Sequence, residues 1–118
     1  MTPGPAARTE RGGRSVVLPD LLGARGEALL ALGRTEEAWE ALSEARDIAE
    51  RHGSRRSLWR IYFEMSEVAS AEKRFDESQK LRQQSRDLID YIADHCGKPE
   101  IRDGFLNTPK VRQALAAE

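Results

Sequence analysis

The chain has 118 residues, enough for one domain, and a hydrophobic content of 39% with only two Trp, two Tyr and three Phe allows it a modest core. Charged residues make up 33% of the chain, yet the formal net charge is -1, so no global field directs it to nucleic acid or to a membrane surface. A single cysteine, Cys96, leaves no internal disulfide framework. No apolar run reaches the roughly 18 residues of a membrane span, and the first residues lack the apolar centre of a secretory signal, so a soluble cytoplasmic protein is expected.

Residues 1–17 are rich in Pro, Gly and Arg, with Val16 and Val17 apolar only at the end, and too little to bury predicts a disordered tail, bounded at 1–18. Pro19 with Asp20 then opens a first helix over about 19–32. Within it Leu22, Ala28, Leu29 and Leu32 return to one side of a 3.6-residue helix, and small Gly26 marks a close approach. Gly33 suits a left-handed cap. Thr35 is placed to cap a second helix over 36–52, with Glu36 and Glu37 in the first turn where the helix dipole favours negative charge. Ala38, Leu42, Ala45, Ile48 and Ala49 form its apolar stripe, widened by Trp39, and Gly53 ends it.

Ser54 or Ser57 caps a third helix whose apolar side is Leu58, Ile61, Tyr62, Met65, Val68 and Ala69, with Trp59 leading in. Lys73-Arg74-Phe75-Asp76-Glu77-Ser78 then repeats the earlier turn and helix start, with Ser78 standing for Ala38, and Leu81, Ser85, Leu88, Ile89 and Ile92 continue the fourth helix. That alignment gives an internal period of 40 residues with a degenerate second copy. After Gly97, Pro99 sits where a helix begins, and Ile101, Phe105 and Leu106 are expected to fold back as an apolar cap. Thr108-Pro109 opens a final helix with Val111, Ala114 and Leu115.

Gly26, Leu29, Gly33, Glu37-Ala38, Leu42 and Ala45, in that order and spacing, resemble the tetratricopeptide repeat family. Leu29 replaces the usual tyrosine, Glu50 falls where that family has a helix-ending proline, and the 40-residue period exceeds the family's roughly 34. The long period, Trp59 near the start of the third helix, and Ile101, Arg102, Phe105, Leu106, Pro109, Val111 and Arg112 sharpen the likeness. Together they resemble the C-terminal end of repeat arrays in bacterial signalling ATPases, cyclase fusions and maltose-activator-like transcriptional regulators. The resemblance implies an all-α, antiparallel helix-turn-helix solenoid with repeats at 19–53 and 54–96 and a capping segment at 97–118.

Chemistry finds little footing. His95 and Cys96 are adjacent, so on a helix they diverge by about 100 degrees, and they read as two helix-end residues rather than metal ligands or a nucleophilic pair. His52 suits a helix C-terminus, and Glu64, Glu67 and Glu72 fit a solvated face. No phosphate-binding or nucleophile-elbow motif occurs, so no enzyme, catalytic residue, cofactor or metal is expected. The basic run Arg51, His52, Arg55, Arg56 and Arg60 is read as a solvated loop, and nucleic acid is not an expected partner.

The family's binding face is the concave side lined by the first helix of each pair. By that register Asp20, Gly23, Glu27 and Leu30 belong to it in the first copy, and Arg60, Phe63, Glu67 and Ser70 in the second. The expected contact residues are Glu27, Leu30, Arg60, Phe63 and Glu67, although Phe63 serves equally well as packing against the cap. The lysine-and-asparagine clamp with which chaperone-binding members hold a peptide carboxylate is replaced here by Gly23 with Glu27 and Phe63 with Glu67. Two functions follow from the resemblance: a non-enzymatic interaction module that binds a protein or peptide or self-associates through its uncapped first repeat, or the regulatory end of a nucleotide-dependent signalling or transcriptional protein.

Overall fold

The computed structural model of the chain describes residues 18–116, so residues 1–17 of the tail expected at 1–18 lie outside the described residues, and Leu18 belongs to the first helix instead. Among the described residues there are six helices and no strand: α1 (Leu18–Ala31), α2 (Thr35–His52), α3 (Arg55–Ala71), α4 (Phe75–Asp94), α5 (Pro99–Leu106) and α6 (Pro109–Ala116). Every predicted helix is present, and the two with expected bounds, 19–32 and 36–52, run Leu18–Ala31 and Thr35–His52.

The two hairpins turn in the same way 40 residues apart. Arg34 and Arg74, the residues before α2 and α4, share φ -93 and ψ 71. Gly33 N–H donates to the Leu30 carbonyl and Arg34 N–H to that of Leu29, both at 2.9 Å. In the second copy Lys73 N–H donates to Ser70 at 2.9 Å and Arg74 N–H to Ala69 at 2.8 Å. These bonds satisfy carbonyls that a helix end otherwise leaves open. The cap residue is left-handed in both, Gly33 at φ 80 and Lys73 at φ 64. Lysine holds a conformation there that glycine adopts at lower cost.

α1 packs on α2 and α3, α2 on α3, α3 on α4, and α4 meets both α5 and α6. Leu29, Leu42, Ile61, Met65 and Val68 belong to a core that joins the first hairpin to α3. Gly26 is buried because the Leu42 side chain occupies its place: an added Cβ would lie 2.5 Å from Leu42 Cγ. A second core joins Trp59 and Phe63 of α3, Ile89 of α4, and Val111 and Ala114 of α6. Between α3 and α4, Ser78 and Ser85 replace Ala38 and Ala45 of the first copy, and their buried hydroxyls donate to the carbonyls of Ser66 and Trp59 at 2.8 Å. The degenerate copy thus keeps the small side chains and satisfies the added polar atoms.

Several local expectations are corrected. Thr35 is the first residue of α2, and neither it nor Ser54 supplies a side-chain cap to the helix that follows. Thr108 Oγ1 donates back to the Gly104 carbonyl at 3.2 Å. Ala28 and Leu32 do not join the inward side of α1: both are exposed, Leu32 at 69%, because the close packing of Gly26 and Leu29 turns residues 21, 25, 28 and 32 outward. Glu64, expected on a solvated face, is 4% exposed because α6 lies over it. In the cap, Phe105 and Leu106 fold back as expected and Ile101 does not, remaining 52% exposed.

Candidate partner-binding face

α1 and α3 lie side by side, and between their N-terminal halves runs a depression of about 90 Å³ lined by Asp20, Gly23, Ser57, Arg60, Ile61 and Glu64. It opens beside a shallower groove of about 470 Å³ that adds Arg56, Trp59, Phe105 and Thr108. The floor is apolar, since Trp59 is buried and meets Phe105 edge to face with ring centroids 6.2 Å apart. Hydroxyls and charges form the rim. Ser54 Oγ donates to Ser57 Oγ at 3.1 Å, and Ser57 Oγ donates to Asp20 Oδ1 at 2.9 Å, tying the start of α3 to α1.

A charge cluster closes the far end. Lys110 of α6 donates to Glu27 Oε2 at 2.9 Å and stands 3.3 Å from Glu64 Oε2, while Arg60 reaches Glu27 Oε1 at 3.5 Å. The hydrogen bond from Lys110 holds the Glu27 carboxyl below its usual range. Glu64 moves the other way, its pKa raised because burial disfavours the charged carboxylate more than Lys110 favours it. Its Oε2 has ion-pair contact but no hydrogen bond. Burial of the Lys110 ammonium works against its charge, and the two carboxylates overcome that, so its pKa is raised. The cluster spends its charges on joining α1, α3 and α6.

Of the five expected contact residues, Glu27 and Arg60 come together here. Leu30 is half-buried against the first core. Phe63 is 1% exposed and packs with Val111 and Ala114, with Lys110 Nζ 5.9 Å from its ring centroid. Glu67 turns towards α4, where Arg82 meets it at 3.3 Å. The face of α3 towards the groove is Ser57, Arg60 and Glu64, so of the expected α3 positions Arg60 lines the depression and Phe63 and Glu67 do not. Ser57, Glu64 and Lys110 were not singled out for this face. No sequence signal marks Lys110, which lies 83 residues from Glu27.

The basic run divides. Arg51 and His52 are exposed at the end of α2, Arg55 lies 4.2 Å over the Tyr91 ring of α4, and Arg56 and Arg60 line the groove. His95 stacks on the same Tyr91 ring with centroids 3.9 Å apart, its Nδ1 2.7 Å from the Tyr91 carbonyl, and Cys96 Sγ donates to the Ile92 carbonyl at 3.2 Å. Both side chains contact carbonyls one turn back. Among the described residues no group of three His, Cys, Asp or Glu is placed to hold a metal, and no helix is long and apolar enough to cross a membrane.

No family model matches the chain, and neither the curated proteins nor the solved structures searched contain a match to it.

Proposed function

We propose that this chain is a non-enzymatic protein–protein interaction module built of two tetratricopeptide-like helical hairpins, binding an extended protein segment along the α1–α3 face and able to self-associate through its first hairpin. The observation that carries the reading is the repeated turn 40 residues apart, which sets equivalent helices α1 and α3 beside one another so that they line one groove. The groove's composition supports it. An apolar floor at Trp59 and Phe105, with Asp20, Ser57, Arg56 and Arg60 around it, offers both burial and directional contacts to a peptide backbone. The titratable residues beside it are tied into a structural ion-pair cluster, which favours binding over acid–base work.

A random-peptide library selected on the purified full chain, with counter-selection on the Arg56→Glu, Arg60→Glu double variant, tests the reading. Both arginines are exposed, so the variant is expected to fold. Enriched peptides that bind the wild type at least tenfold more tightly than the variant support the proposal. A library that enriches nothing, or peptides indifferent to the variant, overturns it.

A further inference from the structure

The outward stripe of α1 has a counterpart inside the same chain. By the 40-residue period Leu21, Arg25 and Ala28 correspond to Ile61, Met65 and Val68, which are 3%, 0% and 0% exposed in the core shared with the first hairpin. On α1 the equivalent positions face outward: Leu21 is 60% exposed, Leu32 just beyond the helix end is 69% exposed, and Arg25 and Ala28 are exposed between them. No described residue covers this stripe. α1 is therefore apolar on two sides, a pattern that belongs to a helix covered on both.

Spacing and charge indicate the cover. We infer that α1 pairs, antiparallel, with α1 of a second copy of this chain. Under a two-fold axis between residues 26 and 27, Leu21 meets the partner subunit's Leu32, and Arg25 meets the partner subunit's Ala28, each contact occurring twice. The stripe is thus complementary to itself. Its charges agree: Arg25 lies beside a shallow depression whose rim is Glu37, Glu40 and Glu44 of α2, and among the described residues it has no ion-pair partner. Across the axis each arginine faces the partner's acidic ridge, and net charge -1 gives the two copies little mutual repulsion.

A contact made by one helix of 14 residues, about 21 Å long, falls below the roughly 1,200 Å² of standard interfaces, so the dimer is weak and concentration-dependent. This inference deepens the self-association part of the proposed function and is separate from the α1–α3 groove.

The experiment is sedimentation equilibrium of the full chain from about 10 µM to about 1 mM, a range suited to a small interface. The wild type is expected to approach twice its monomer mass. Leu32→Asp, Arg25→Glu and the Glu40→Arg, Glu44→Arg double variant are each expected to stay monomeric with unchanged helical circular dichroism. An equimolar mixture of Arg25→Glu with Glu40→Arg, Glu44→Arg should recover the dimer, because both faces of that heterodimer again pair opposite charges. A monomeric wild type overturns the inference, including the case where solvent-paramagnetic relaxation shows Leu32 shielded by residues 1–17. Association that survives Leu32→Asp and Arg25→Glu also overturns it, while leaving self-association through another surface standing.

Discussion

At the scale of single residues, Lys110 has the largest effect for its size. It is the one described cation within ion-pair reach of Glu64, and removing it leaves a buried carboxylate uncompensated. Lys110→Met is expected to cost on the order of 2–3 kcal/mol in urea denaturation, and adding Glu64→Gln should recover the part owed to the uncompensated buried carboxylate, leaving the smaller loss of the Lys110–Glu27 bond. Additive losses in the double variant would show that the two residues do not act as a pair. Since the folded pKa of Glu64 is raised, its contribution is present below the usual glutamate value of 4.5 and declines as pH rises through the folded value. The stability of wild type relative to Glu64→Gln should therefore fall between acid and neutral pH. Tyr62 behaves likewise at the alkaline end. Burial, with its 2.6 Å hydrogen bond to Glu50, raises its pKa to about 12. Its stabilising contribution is complete below pH about 10 and lost towards about 12, and Tyr62→Phe should flatten that part of the pH–stability curve.

At the scale of elements, the turns show what was legible in the sequence. Gly33 and Gly53 announce left-handed caps through their composition, and both adopt them, at φ 80 and φ 66. Lys73 gives no such signal by itself and is found only through its alignment with Gly33. Its turn is also braced from outside: Arg74 lies 4.4 Å over the Trp39 ring of α2 and pairs with Glu72 and Glu77. Arg34 and Glu37 make the corresponding pair in the first copy at 2.9 Å. Lys73→Gly should raise stability by about 0.5–1 kcal/mol, and Gly33→Ala should lower it by about 1 kcal/mol, both read from thermal melts. A destabilised Lys73→Gly would mean that the lysine side chain itself holds the turn. Helix existence follows from local periodicity, whereas the fate of Glu64, Phe63 and Leu32 depends on α6 and on rotation of whole helices, which no local pattern encodes.

At the scale of the molecule, two equivalent hairpins and a two-helix cover divide the labour. The cover places Phe63, Val111 and Ala114 in a second core and closes one end of the groove through Lys110. The groove lies between α1 and α3, and the uncovered stripe lies on another side of α1, so the proposed partner binding and the proposed self-association draw on different surfaces of one helix. The sequence register put Glu27 and Arg60 on the same side of equivalent helices, and the two side chains meet at 3.5 Å. It could not locate Lys110, because that contact joins distant segments.

The most direct test of the interaction-module account is amide chemical-shift mapping of a library-selected peptide on the isotopically labelled full chain. The account predicts the largest shifts at Asp20, Gly23, Ser57, Arg60 and Ile61, lining the α1–α3 groove. Shifts concentrated on α2 and α4, which contribute no residue to that groove, would contradict it.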